Sequence, residues 1–284
     1  MYRRFLGLNE LEDSFHVVRP MCIYVAAMIV AGLGMAVRGG QIVSIVCGGV
    51  IVFVAGVMIF QIHWAVSHFA RRSQIVRHAA ARAEEHYVNV LRRITMIVES
   101  RDRYTEGHSQ RVGMLAEQIA RRLHLPPRQC ELMNLAGQLH DIGLLAVSEN
   151  VLRKRAGFGA GDFRAIQKHS EISYELLEPL ESLAEILPAI RYHHERLNGT
   201  GYPEGLREEK IPLEARILAV ADAYDAMTHD RPQRGAMTPL QAMEELRRCA
   251  PSGYDSRCVE ALAHEVHMLK LKEIMSARQV PAAV

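Results

Sequence analysis

His193-His194-Glu195 leads into Asn198-Gly199-Thr200-Gly201-Tyr202-Pro203, and far upstream stands a second histidine-rich stretch, His140-Asp141-Ile142-Gly143. Neutral imidazole and carboxylate are ligands that a borderline divalent ion prefers. Adjacent histidines, a His-Asp pair and a Gly-Tyr-Pro turn on one chain look like a polynuclear metal site. Around these stretches the apolar spacing is helical. Val112, Leu115, Ala116, Ile119 and Leu123 line one face of a helix from His108, which Pro126-Pro127 ends. Leu132, Leu135, Ala136 and Leu139 form the buried side of the next helix, which runs toward His140. Asp162 is a candidate N-cap for a helix that carries His169 and that Pro179 closes. A helix from about Leu183 delivers His193 and His194 at its C-terminal end, and one from about Leu213 delivers Asp222. The Gly- and Pro-rich stretch 198–206 reads as a loop. With no convincing strand ladder, repeat or low-complexity segment, the expected fold is all-α.

Moving toward the N-terminus, the composition changes. The hydrophobic fraction of the whole chain, 49%, is ordinary, but Met21–Val37 and Gln41–Ile62 carry no formal charge. At about 1.5 Å per residue against a hydrocarbon slab of about 30 Å, the second run spans comfortably and the first only just. Buried core helices would show the same runs, and a cleaved signal peptide would resemble the first. Against a signal stands the second apolar run, which follows within a few residues. Arg38-Gly39-Gly40 joins the runs as a tight turn, which makes a transmembrane hairpin. Arg3, Arg4 and Arg19 precede it, Arg71, Arg72, Arg77 and Arg82 follow it, and Arg38 alone lies between, so both ends are expected in the cytoplasm. Trp64, beside His63, stands where an interfacial anchor belongs.

The net charge of +2 argues neither for nor against nucleic acid, because much of the excess is juxtamembrane arginine. No basic stripe interleaved with aromatics suggests a nucleic acid polymer as partner. The five cysteines form no Cys-x-x-Cys pair, which excludes zinc-finger and disulfide-framework readings. Val76, Ala80, Ala83, Tyr87, Val90, Ile94 and Ile97 recur at spacings of four and three, a heptad stripe on a helix free of Gly and Pro. It is expected to pair with a second copy as a parallel homodimer, or else to pack on the C-terminal domain of its own chain.

From about Ser100 to the C-terminus the chain resembles the HD-GYP subgroup of the HD phosphohydrolase superfamily. The resemblance is carried by Tyr104-Thr105 with His108-Ser109 and Arg111-Val112, by the His140 stretch, by Lys168-His169, by His193 through Pro203, and by Ala221-Asp222-Ala223-Tyr224-Asp225-Ala226. It implies that His108, His140, Asp141 and Asp222 form a basic metal site, and that His169, His193 and His194 hold a second ion with Asp141 bridging. Seven ligands are too many for one ion, and a His/carboxylate set without thiolate favours iron or manganese over structural zinc. Two such ions about 3.5–4 Å apart can bind a hydroxide between them at neutral pH, which gives His140 and Asp141 the catalytic role. The resemblance also implies the substrate, cyclic di-GMP, opened to linear pGpG and sometimes cut to GMP. By the same resemblance Gly201, Tyr202 and Pro203 shape the substrate pocket and serve protein contacts. Arg231 and Arg234 offer planar donor forks for phosphate or guanine. Asp225 and Arg111 read as structural, and the remaining histidines as ordinary core or surface residues.

Three positions depart from that pattern. Leu144 stands where the family has the lysine of His-Asp-x-Gly-Lys, Gln233 where it has tyrosine, and Tyr104 where some members place a glutamate that serves a third ion. Losing one donor at the place where charge develops costs about 10²–10³ in rate, for which Lys168 is a candidate substitute. The expected organisation is a cytoplasmic tail (1–20), transmembrane helices at 21–37 and 41–62, a linker helix or coiled coil (63–99) and an HD-GYP domain (100–284). The expected activity is a phosphodiesterase at the bacterial inner membrane that hydrolyses cyclic di-GMP. Its rivals are a weak or inactive receptor, motivated by Leu144, and a hydrolase of another cyclic dinucleotide.

Overall fold

The computed structural model describes residues 26–27, 30–31, 41–100, 106–152, 154, 157, 159–230 and 235–278. The Arg38-Gly39-Gly40 turn, most of the first apolar run, Tyr104-Thr105, and Arg231 and Arg234 therefore lie outside the described residues. The chain divides into two units, 1–80 and 81–284. Helix α1, Gln41–Glu99, begins in the first and ends in the second.

In the first unit, Val52, Phe53, Ile59, Phe60, Ile62 and Phe69 of α1 are exposed among the described residues, while Val54, Val57 and Met58 are half-buried. This helix is long and apolar enough to cross a membrane, by length and composition. Trp64 is exposed too, with its ring stacked on His68 one turn on.

Among the described residues of the second unit the regular elements are α-helices and 3-10 turns, with one isolated antiparallel bridge, Asn198 to Arg207. After the final turns of α1 come α2 (His108–Arg122), α3 (Pro127–Leu139), a 3-10 turn (Ile142–Ala146), α4 (Glu149–Leu152), α5 (Ala160–Gln167) and α6 (His169–Leu177). A second 3-10 turn (Glu181–Leu183) precedes α7 (Leu187–Tyr192), and a third (Glu208–Lys210) precedes α8 (Leu213–Thr228); α9 (Pro239–Cys249) and α10 (Ser256–Arg278) complete the order. Helix α8 is the axis of the core. Ala215 and the unbroken run Ile217–Ala221 are buried, so apolar residues cover it all round rather than on one stripe. Around it pack Val112, Ala116 and Ile119 of α2, Met133 and Leu139 of α3, Ile190 of α7, Leu246 of α9 and Leu262 of α10. Each large aliphatic side chain fully buried here contributes about 1.5–3 kcal/mol.

Helices α2 and α3 approach closely because glycines face each other. A Cβ on Gly137 would lie 2.5 Å from the Gly113 backbone, and one on Gly113 would lie 2.5 Å from the Asn134 carbonyl. That approach sets the separation between His108, at the start of α2, and His140, just past the end of α3.

Two expected boundaries are corrected. The helix expected to run from Asp162 through His169 is two helices, broken at Lys168. Asp162 is not the N-cap but lies inside α5, where its carboxylate accepts from the Gly159 N–H at 2.8 Å and from Lys154 Nζ at 2.6 Å. The helix expected from Leu183 starts instead at Leu187, with Pro188 in its first turn, where a missing N–H costs nothing. The heptad stripe on α1 also differs from its own-chain alternative. Val76, Tyr87, Val90 and Ile97 are exposed, while the neighbouring line Val88, Thr95 and Glu99 is buried against the second unit.

Gly137→Ala is expected to lower unfolding stability by about 1–3 kcal/mol, because the added methyl meets backbone that cannot yield. Gly161→Ala in α5, with nothing within 4 Å of its added methyl, is expected to be neutral or stabilising by about 0.5–1 kcal/mol. Urea midpoints of the two variants check the contrast.

Candidate metal centre

Three of the candidate histidines stand just beyond helix C-termini. His140 follows α3, His193 follows α7, and His169 comes two residues after the end of α5. The last carbonyls of a helix lack intrahelical partners, and each imidazole serves one of them. His140 Nδ1 lies 2.8 Å from the Gly137 carbonyl, His169 Nδ1 2.6 Å from that of Ile166, and His193 Nδ1 2.6 Å from that of Ile190. A carbonyl only accepts, so Nδ1 carries the proton in all three rings and a neutral ring keeps its lone pair on Nε2.

Those Nε2 atoms gather around one carboxylate. Asp141 Oδ1 lies 3.1 Å from His169 Nε2 and 3.9 Å from His193 Nε2, whereas Oδ2 lies 3.4 Å from His140 Nε2 and 3.8 Å from His108 Nε2. Asp222 Oδ1 is 3.3 Å from His108 Nε2. The seven candidates thus form two groups with donor atoms close enough to share an ion: Asp141 with His169, His193 and His194, and His108 with His140 and Asp222. His194 packs its ring against His193 with centroids 4.0 Å apart, and Tyr202 covers it at 4.7 Å.

Several residues outside this set fix it in place. Asp225 Oδ2 accepts from His108 Nδ1 at 2.7 Å, and the same carboxylate takes Arg111 Nε at 2.7 Å and Nη2 at 3.1 Å. The arginine fork holds the acid, and the acid holds the ring. Ser173 Oγ donates to the His140 carbonyl at 2.7 Å and accepts from the Gly143 N–H at 2.8 Å. A Cβ on Gly143 would run into the His169 carbonyl, so glycine there lets the start of α6 close on Asp141. Glu195, also buried, accepts the backbone N–H groups of Glu204, Gly205 and Leu206 at 2.7, 2.9 and 3.0 Å, tying the 198–206 loop beneath the histidine pair. Gly201 lies against the backbone of His194 and Glu195, where a side chain would not fit.

The electrostatics suit a cation. Burial works to raise Asp141, but His140, His169 and His108 outweigh it and hold the carboxyl well below its ordinary range. Asp222 is held low in the same way: burial is overcome by the hydrogen bond and charge of His108 and by His140. Burial opposes the charge on His108 too, yet Asp222 and Asp225 raise it to about 10. Burial, reinforced by the neighbouring imidazoles, depresses His193 well below its usual value. Burial also brings His194 down to about 3 against the pull of Asp222. Two ionised acids among imidazoles, three of them with Nε2 exposed to the cluster by backbone hydrogen bonds, are a donor set that fits divalent metal.

All seven sequence-derived candidates meet here, and Tyr202 joins them. Lys168 is exposed while His169 beside it is buried, and Leu144 lies half-buried in the turn after Asp141. Arg111 and Asp225 are structural, as expected, though their structural task is to hold His108. His229 also reaches Asp225, 3.3 Å from Oδ1. Glu195 and Ser173 were not anticipated. A lone acid before a Gly-rich loop is a signal for the first, since such a loop has backbone N–H groups to satisfy, but nothing in the sequence marks the second. A groove of about 1180 Å³ between α2, α9 and α10 lies elsewhere and shares none of the seven residues.

Asp225→Ala leaves His108 without its orienting acid, and metal affinity is expected to fall about 10–100-fold. Gly143→Ala is expected to displace His169 from Asp141 and to weaken the other group instead. Metal titrations of the two purified variants separate these effects.

Residues 92–258 match the family described as HD domain. The cyclic di-GMP phosphodiesterase response regulator RpfG of Xanthomonas campestris pv. campestris is 37% identical over 182 residues, which cover 63% of this chain and 48% of that protein. The 3'3'-cGAMP-specific phosphodiesterase 3 of Vibrio cholerae is 35% identical over 61% of this chain and 38% of its own length. A cyclic di-GMP phosphodiesterase of Thermotoga maritima is 33% identical over 63% of this chain and 49% of its own length. The chain spans about half or less of the length of these curated relatives. The matched region contains all seven clustered side chains, and the chain belongs to the HD-domain family.

Proposed function

We propose that the chain is a two-metal phosphodiesterase that hydrolyses cyclic di-GMP, anchored in a bacterial inner membrane with its HD domain in the cytoplasm. The observation that carries this reading is the convergence of seven side chains from five segments into two groups on opposite oxygens of Asp141. In this reading His108, His140, Asp141 and Asp222 hold one ion, His169, His193, His194 and Asp141 the other, with iron or manganese favoured. When bound, such a pair activates water at neutral pH and neutralises phosphoryl charge.

The protein's own part is to hold and to orient. Asp141 presents one oxygen to each group. His140, His169 and His193 are fixed by their backbone carbonyls, so each offers Nε2 without reorganisation. Tyr202, whose phenol burial and the nearby acids push above its usual range, stays protonated and walls one side of His194. Gly201, Tyr202 and Pro203 form part of the substrate pocket, and Arg231 and Arg234 serve the phosphates or guanines. Relatives named for cyclic di-GMP and for 3'3'-cGAMP support a cyclic dinucleotide as the substrate class. The exposed apolar surface of α1 supports the anchor, and its exposed line of Val76, Tyr87, Val90 and Ile97 supports a homodimer.

A second reading is favoured by Leu144. A hydrophobic side chain in place of an ammonium, one turn after Asp141, suits a receptor that binds the dinucleotide and turns it over slowly.

The test is the 284-residue chain loaded with iron or manganese under reducing, low-oxygen conditions and incubated with cyclic di-GMP. Linear pGpG or GMP is expected, and Leu144→Lys is expected to raise the rate about 10²–10³-fold. A chain that carries both ions, binds the nucleotide and returns it intact would establish the receptor instead.

A further inference from the structure

The last turn of α1 contacts Ser109, the residue next to His108, through one side chain. Helix α2 starts at His108 without a side-chain cap, because its N-cap is Gly107 in the left-handed region at φ 73°. The first N–H groups of a helix need acceptors from elsewhere. Glu99 Oε1 accepts the Ser109 N–H at 2.8 Å, and the Ser109 hydroxyl donates to the same oxygen. Glu99, at 7% exposure, and Ser109, at 1%, are both buried, so water does not compete for this contact. The residue between the glycine cap and Ser109 is His108. Its ring is oriented from one side by Asp225 and faces Asp222 with the other nitrogen. Glu99 therefore holds the backbone of a residue whose ring Asp225 holds. Two turns earlier on the same helix, Arg92 Nε donates to Gln138 Oε1, two residues before His140. Both contacts fall beside members of one group, His108 with His140 and Asp222.

We infer that Glu99 is a positioning residue for that group: through Ser109 it sets His108 on α2, so that the linker helix and this half of the centre are held in register. The inference rests on the two-ion reading above. It predicts an asymmetric effect, since nothing in this contact bears on His169, His193 or His194.

The experiment is titration of the metal-free full chain with Mn(II), followed by the paramagnetic signal of the free ion, together with melting of each metal-free variant. Wild type is expected to bind two ions. Glu99→Ala is expected to weaken one of them by at least about tenfold and to leave the other unchanged. Glu99→Gln, which keeps an acceptor at Oε1, restores affinity to within about threefold. In an Asp222→Ala background, where only the other group retains its full set, adding Glu99→Ala is expected to change nothing. Should Glu99→Ala prove unfolded at the titration temperature, Ser109→Ala, which removes one of the two donors, carries the same asymmetric expectation. Equal weakening of both ions, or unchanged affinities in a folded Glu99→Ala, overturns the inference. A wild type that binds no pair of ions overturns the two-ion reading itself, and this inference with it.

Discussion

Asp141 is the constraint on which the rest of the second unit depends. A carboxylate largely enclosed among helices is costly unless neighbours compensate it, and this half-buried one is held well below its ordinary range with its two oxygens turned toward different histidines. Those histidines come from segments far apart in sequence. The compensation therefore exists only when α2, α3 and α6, which place His108, His140 and His169, have reached their positions. Packing serves that requirement: glycine against glycine between α2 and α3, Gly143 against the start of α6, and Gly201 against the His194 backbone.

The histidines have a double use that links local structure to the site. A helix end leaves carbonyls unsatisfied, and an imidazole just beyond it satisfies one while losing the freedom to rotate or to change tautomer. His140, His169 and His193 repeat this arrangement at three helix ends. Breaking the expected long helix at Lys168 is part of the same design, because it places His169 where its Nδ1 can reach Ile166 and its Nε2 can reach Asp141. His108 is the exception. Its Nδ1 faces a carboxylate rather than a carbonyl, and it takes its orientation from Asp225 instead.

Much of this was legible in the sequence. Helix identity followed from apolar spacing, and the seven clustered side chains followed from the resemblance to a known family, whose motifs stand here in the same order. What escaped depends on contacts between distant segments. The break at Lys168 contains neither Gly nor Pro, so periodicity alone runs through it. Ser173 is one serine among several until α6 is laid against the turn after His140. Glu195 stands beside a recognisable pair and before a Gly-rich loop, a signal that names no particular partner; the N–H groups of Glu204, Gly205 and Leu206 are the ones it accepts. On α1, two heptad lines offset by about 100° look alike on paper, and the one that packs is Val88, Thr95 and Glu99, because Glu99 and Arg92 find partners in α2 and α3. The more apolar line stays exposed except at Ile94, which is half-buried, and it is the surface that the proposed dimer would use.

The most direct test of the account is a crystal structure of the metal-loaded chain with anomalous scattering recorded at the metal edge. It should show two peaks, one in each histidine group, with Asp141 touching both through separate oxygens. A single peak, or two peaks that leave Asp141 on one side, would contradict it.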